Sequence, residues 1–334
     1  ARGLRSVRTR VGIVFQNSDN QVFAPTVYQD VAFGPTNLGL DPEIVRHRVA
    51  DALHAVGLVG CERRPPHHLS GGEKKRVAIA GILAMEPEVL VLDEPTGSLD
   101  PATAEEIVDL LDELQAAGTT ILLSTHDVEL AHRWADEVCL MHEGRVLRQA
   151  PPGEIFADQM LLRKARLKPP AVIELYGELV LRGIVEWGVP PKSVLEFTDL
   201  VERRRKDRVP RDETGTIYVC DADASTGDDL RSLIDGGSVD YVGAMGTRAK
   251  KFANREVILL DFTYGVIDKC ILKALVGENS LIVTTGGMVD HVFRRIQEYG
   301  IESGRELMAR PLTGALQSTP PGDGSLRNGI KEGD

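Results

Sequence analysis

No run of apolar residues in this chain of 334 approaches the length of a membrane-spanning helix, and none reads as a secretory leader. Cysteine is scarce. The four present, Cys61, Cys139, Cys220 and Cys270, are scattered without C-x-x-C spacing, which argues against a disulfide framework and for reduced thiols in a cytosolic chain. Basic charge is in deficit. The formal net charge of -11 argues against nucleic acid as the main partner. There is no internal repeat. What is left, 42% hydrophobic and 27% charged residues, is the composition of a globular protein with room for two domains.

Two stretches organise the chain. Leu69-Ser-Gly-Gly-Glu-Lys-Lys-Arg-Val-Ala-Ile-Ala reads as a capped helix start. Ser70 can cap it, Gly71 and Gly72 let a ligand approach the backbone, and Val77, Ile79 and Ala80 begin an apolar face. Bare N–H groups at such a start make a ready anion site. Val89-Leu-Val-Leu-Asp-Glu-Pro-Thr reads as a short buried strand ending in two carboxylates, Asp93 and Glu94. Acidic groups in that place sit where α/β proteins bind ligands.

Around these two, residues 10–15 read as a strand with Gln16 at its end, and residues 17–35 as polar and turn-rich. Asp41-Pro-Glu starts a helix, and Asp100-Pro-Ala-Thr caps another that Gly118 ends. A buried strand over 119–124 leads into Thr125-His126-Asp127. A helix at 128–135 and strands at 137–141 and 145–148 follow, joined by a Glu-Gly turn. This alternation predicts a parallel α/β sheet. Residues 151–187 read as helical, Gly188-Val-Pro-Pro as a break, and the charge run at 201–211 as a solvated linker or helix face. A second α/β pattern begins at Thr216 and continues with apolar runs at 239–242, 256–262 and 280–285 and a helix over 288–299. The predicted division is residues 1–208, 209–313 and a disordered tail, 314–334.

A phosphate–magnesium site needs a metal ligand, an oriented water and a group on the γ-phosphate. Asp93 is the natural Mg²⁺ partner, through water, and Glu94 is placed to accept a proton from the attacking water. His126 can donate to a γ-phosphate oxygen, and Gln16 can hold Mg²⁺ or the water as a neutral ligand. Taken singly, His126 is as readily a buried histidine satisfied by backbone, Gln16 a plain loop residue and Asp100 a helix cap.

In this order and spacing the residues resemble a family. Leu-Ser-Gly-Gly-Glu at 69–73, then the strand ending in Asp93 and Glu94, resembles the signature motif and Walker B strand of ABC-transporter ATPases. Gln16, Ser98-Leu-Asp100 and His126 match that family's Q-loop, D-loop and H-loop in order. Phe15-Gln-Asn-Ser-Asp-Asn-Gln-Val-Phe-Ala-Pro-Thr-Val and Asp30-Val-Ala-Phe-Gly-Pro-Thr-Asn-Leu-Gly-Leu are similar to the ATPases of energy-coupling-factor importers, which take up cobalt, nickel or vitamins. The likeness covers roughly residues 1–208. It implies a P-loop NTPase-like fold, with ATP and Mg²⁺ as cofactors and a head-to-tail dimer with a second ATPase subunit, the same or different. In that dimer Ser70, Gly71, Gly72 and Glu73 close on phosphates held by the other subunit, and Asp100 bridges to it. Opening and closing drive integral membrane subunits through residues 16–40, which places the protein at the cytoplasmic face of the membrane.

One departure is serious: the chain contains no G-x-x-x-x-G-K-[ST] loop. Gly243-Ala-Met-Gly-Thr-Arg-Ala-Lys fails the spacing. The resemblance puts that loop, and an aromatic that stacks on adenine, ahead of residue 1, so a truncated sequence is expected. The alternatives are a non-hydrolysing regulatory remnant, and a non-transport ABC ATPase acting on DNA or ribosomes. The latter lacks support, since no coiled-coil insertion, duplicated cassette or basic surface is present.

The second pattern is read as a regulatory unit. Asp221, Asp223, Asp261 and Thr284-Thr-Gly-Gly stand at strand ends, and Gly286 and Gly287 can form an anion or small-ligand site or a plain βα turn. A metal site from Cys220, Asp221, Asp223, Cys270 and His291 is weighed against their lack of ligand spacing.

Overall fold

The computed structural model describes residues 7, 9–202 and 214–312. The expected tail at 314–334 and all but the start of the charge run at 201–211 lie outside the described residues.

Strands β1 (Val11–Val14), β2 (Val89–Asp93) and β3 (Thr120–Ser124) pair in parallel in that order. Val14 stands opposite Leu92, and Leu92 opposite Leu123. Alternation decides the faces. Val14, Leu90 and Leu92 are fully buried, whereas Ile13 and Leu122, on the other alternation, are 47% and 61% exposed. Strand β3, read as a buried strand, therefore has no buried residue, because nothing among the described residues covers that face. Helices α1 (Val27–Asn37), α2 (Pro42–Ala55), α3 (Gly71–Leu83) and α4 (Pro101–Ala116) contribute to the same core as the buried strand residues. Asp41 and Pro42 start α2 as the sequence predicts, and the Asp41 side chain accepts from the Glu43 N–H. Helix α1 corrects the turn-rich reading of 17–35. Thr26 caps it, accepting from the Gln29 N–H, and Val27 and Val31 are fully buried under it. Pro35, which reads as a breaker, sits in the last turn of this helix.

After α5 (Val128–Trp134), strands β4 (Val138–His142) and β5 (Arg145–Ala150) form their own antiparallel pair and do not extend the parallel sheet. A two-residue turn permits nothing else. Glu143 and Gly144 both take positive φ, 49° and 72°. Four short helices follow: α6 (Pro152–Phe156), α7 (Gln159–Ala165), α8 (Ala171–Leu181) and α9 (Val194–Glu202).

A second parallel sheet contains β6 (Thr216–Asp221), β7 (Tyr241–Ala244), β8 (Ser280–Thr284) and β9 (Met308–Pro311), in the order β7-β8-β6-β9. Helices α10 (Gly227–Asp235) and α11 (Thr247–Arg255) share one core with Cys220, Leu281 and Val283. Helices α12 (Val266–Ala274) and α13 (Met288–Ser303) share the other with Ile217, Val219 and Ile282. The sheet is therefore covered on both faces, as parallel sheets are. The apolar run at 256–262 is not one of its strands. Only its end reaches the sheet, where the Asp261 and Phe262 N–H groups donate to the Val242 carbonyl and the Ala244 N–H donates to the Phe262 carbonyl, while Val257 and Leu259 are 90% and 86% exposed.

The two sheets belong to parts that meet where α11 docks on α4. Lys250 Nζ lies 2.6 Å from Asp109 Oδ2, with both side chains nearly buried, and the Gly246 N–H donates to the same oxygen at 3.4 Å. Lys251 Nζ donates to the Gly57 carbonyl. Gly246 has φ +86°, and a Cβ there would stand 2.2 Å from Glu113 Oε1, so only glycine allows this approach.

Candidate functional site

Three adjacent parallel strands end at one edge, and the chemistry gathers there. The register that sets Val14 beside Leu92 and Asp93 beside Ser124 puts Gln16, Asp93, Glu94 and His126 at the carboxyl ends of β1, β2 and β3. Asp93 accepts from Ser124 Oγ, and the Glu94 N–H donates to the Ser124 carbonyl at 3.0 Å. The two acidic residues are thus held by β3 in different ways, one through its side chain and one through its backbone.

Glu94 is turned out of the strand. Its φ is +45°, in the left-handed region that non-glycine residues seldom occupy, and Ser98 follows with +64°. The Gly97 N–H closes the turn on the Glu94 carbonyl at 3.1 Å. This conformation aims the Glu94 carboxylate at His126, whose Nδ1 lies 2.7 Å from Oε1. That contact, with the nearby negative charge, raises the pKa of the largely exposed His126 above the ordinary histidine value. His126 is therefore not the buried, backbone-satisfied histidine of the bland reading.

Gln16 is exposed, and its backbone is tethered from behind. Lys75, on the second turn of α3, is buried and donates to the Phe15 and Gln16 carbonyls at 3.1 and 2.7 Å. Burial lowers its pKa, and Asp93 pulls it back up. The sequence reading did not single out Lys75. In the sequence it stands between Lys74 and Arg76, and its one mark is helical spacing that puts it on the face of Ala78 and Ile79.

That stretch forms a full capping box. Ser70 Oγ accepts from the Glu73 N–H at 3.2 Å, and Glu73 Oε2 accepts from the Ser70 N–H at 2.8 Å. The Ser70 contacts and Arg64, 3.2 Å away, lower the Glu73 pKa. Gly71 is exposed, but Gly72 is buried against α4, where a Cβ would stand 2.3 Å from Thr103 Cγ2. Packing thus supplies a reason for glycine at 72 besides ligand access. Asp100 caps α4 through the Thr103 N–H at 3.0 Å and the Thr103 hydroxyl at 2.6 Å, which lowers its pKa. Thr103 therefore joins Asp100 to Gly72.

In the second part, the structure does not assemble the proposed metal set. Cys220 and Cys270 belong to the cores on opposite faces of the sheet, and burial pushes their thiols up to about 11 and about 12. Among the described residues no group of three or more His, Cys, Asp or Glu is arranged to hold a metal ion, and no helix is long and apolar enough to cross a membrane.

The chain resembles known proteins along nearly its whole length. The family model described as ABC transporter matches residues 2–97, which take in Gln16, the capping box and Asp93 with Glu94. The energy-coupling factor transporter ATP-binding protein EcfA2 of Methanospirillum hungatei is 50% identical over 313 residues, covering 93% of this chain and 79% of that protein. A putative ABC transporter ATP-binding protein of Methanosarcina mazei is 43% identical over 359 residues, covering 92% and 78%. Such coverage extends into the second sheet. Among solved structures, cbiO1 from Clostridium perfringens, part of the ABC transporter complex cbiONQ, is 46% identical, covers 53% of this chain and 70% of that one, and has a TM-score of 0.45.

Proposed function

Since this chain belongs to the ATP-binding proteins of energy-coupling factor ABC transporters, we propose that it hydrolyses ATP to drive uptake through separate membrane subunits, with cobalt, nickel or a vitamin as cargo. The observation that carries this reading is the edge where Gln16, Asp93, Glu94 and His126 converge, with His126 against Glu94 at 2.7 Å.

In the proposed reaction a water attacks the γ-phosphorus in line and the bond to the ADP oxygen breaks. Glu94 takes the water's proton, and His126 donates a hydrogen bond to a γ-phosphate oxygen. The His126–Glu94 contact holds both side chains at the reaction edge, where His126 exchanges its carboxylate partner for the phosphate. Ser124 orients Asp93, and Lys75 fixes the backbone that carries Gln16. Mg²⁺ keeps water and substrate phosphates in its shell, so one carboxylate and one neutral ligand from the protein suffice. Asp93 and Gln16 are the residues to hold it, and when bound it supplies charge neutralisation at the phosphates.

The capping-box helix start, with Ser70 and Gly71 exposed, is read as the half-site offered to the phosphates of a second ATP-binding subunit. Asp100, at the start of the neighbouring helix, is read as the bridge to that subunit. Phe23 and Phe33, in edge-to-face contact at 4.9 Å and 63% and 52% exposed, give residues 16–40 an apolar surface suited to a membrane subunit. The placement is peripheral, on the cytoplasmic side.

The test is Glu94→Gln in the transporter purified with its partner subunits. ATP should still bind, the ATP-bound dimer should accumulate, and hydrolysis should fall by about a hundredfold or more. Undiminished hydrolysis overturns the reading, and loss of ATP binding in the unaltered protein favours a non-hydrolysing regulatory role.

A further inference from the structure

The second sheet has a topological switch point that the proposed ATP chemistry does not use. From β6 the chain runs through α10 to β7, toward one edge, and from β8 through α13 to β9, toward the other. Helices α10 and α13 lie in the cores on opposite faces. Adjacent parallel strands whose connections leave to opposite faces open a crevice at their carboxyl ends, the usual ligand position in such sheets. Here those strands are β6 and β8, paired from Ile217 with Ser280 to Asp221 with Thr284.

The crevice is lined by complementary groups. Helix α13, 16 residues long, begins just after Gly286 and Gly287 and presents its N-terminus there. The Gly286 N–H donates to Asp221 Oδ1 at 3.3 Å, and Arg248 Nη1 donates to Asp223 Oδ2 at 3.1 Å. Arg248 Nη2 lies 3.8 Å from where a Cβ on Gly286 would stand, so the guanidinium faces the helix start across an open glycine with φ +50°. Independently, Thr285, in this same turn and only 2% exposed, has a hydroxyl with no hydrogen-bond partner, and Arg248 Nε is likewise buried without one. A buried polar atom without a partner calls for an explanation, and a bound group beside this turn supplies one.

We propose that this crevice binds a small phosphate ester that carries free hydroxyls, of the sugar-phosphate type. The helix start and Arg248 take the phosphate, as helix N-termini and guanidinium forks do. Asp221, Asp223 and, from α4, Glu113 stand around one guanidinium, so a bare anion is disfavoured and the ligand must also donate hydrogen bonds. Hydroxyls on Asp221 and Asp223 meet that need, and the Thr285 hydroxyl completes the set.

Titration calorimetry of the full chain with ribose 5-phosphate, ribose and inorganic phosphate tests this. Ribose 5-phosphate should bind more tightly than either fragment, and it should slow amide hydrogen exchange at residues 284–288. Arg248→Gln should weaken it by about tenfold or more, the loss of one charged hydrogen-bonding partner. Thr285→Ala, which removes a hydroxyl with no internal partner, should weaken it severalfold with the melting temperature unchanged. Glu94→Gln should leave it intact, which separates this site from the first. Absence of ribose 5-phosphate binding, or binding that ignores both crevice variants, overturns the proposal.

Discussion

The Nδ1 atom of His126 lies 2.7 Å from Oε1 of Glu94, joining the ends of β3 and β2 across the edge of the first sheet. The histidine pKa is raised by this contact, so the charged pair forms fully below the ordinary value of 6.5 and is lost as pH rises through the folded value. His126 is largely exposed, so the readout is its own titration and not global stability. NMR should place its midpoint above the ordinary histidine range, and Glu94→Gln should bring it back down. An unshifted midpoint in the unaltered protein means that the contact does not persist in solution.

Gly72 and Thr103 make a sharper test of the packing between α3 and α4. Adding a methyl at 72 forces Thr103 Cγ2 away, yet the Thr103 hydroxyl is held by Asp100 at 2.6 Å. Gly72→Ala should cost on the order of 1–2 kcal/mol despite alanine's better helix propensity. Thr103→Ser removes the obstructing methyl and keeps the hydroxyl, so the double variant should recover most of that loss in chemical denaturation.

The junction between the two parts depends on a nearly buried ion pair. Asp109→Ala strands Lys250 without its partner, and the expected loss is about 3–5 kcal/mol. Asp109→Leu with Lys250→Met removes both charges and should cost markedly less. Equal losses for the single and double variants would mean that the pair's charges do not matter to the junction.

Asp112 gives stability a pH dependence of opposite origin. Burial pushes it up to about 7 from an ordinary 3.8, although it accepts from Trp134 Nε1 at 2.6 Å. The folded state therefore keeps a proton that the unfolded state releases, and stability falls as pH rises between those values. Asp112→Asn keeps an acceptor for Trp134. It should flatten that slope and add on the order of 2–4 kcal/mol at pH 8. Glu113, also pushed up to about 7, leaves a smaller residual slope.

Much of this was legible in the chain because local chemistry and long-range role coincide there. Asp41-Pro42 and Ser70 with Glu73 announce helix starts by their own hydrogen bonds. Val89-Leu-Val-Leu is a strand buried on one face whose end sets the position of Asp93. What stayed hidden depends on distant partners. Lys75 acts through carbonyls some sixty residues earlier, and Gly246 is needed because the chain takes φ +86° where it meets the other part. Helix α1 was obscured by Pro35, which is tolerated in the last turn, and β9 by Pro311 at its end. The run at 256–262 has a strand's composition, but its exposed Val257 and Leu259 find no neighbour to pair with in the sheet.

The order β7-β8-β6-β9 also bears on how the protein is made. The first strand of the second sheet to leave the ribosome, β6, is an interior one, and its partners on either side arrive last, with Ile217 meeting Ser280 and Thr216 meeting Met308. During synthesis an apolar strand therefore waits with both edges bare while most of the second part is still being translated. Chains stalled before β8 should reveal this as heightened protease sensitivity around 216–221, and normal resistance in them would show that β6 is shielded by other means.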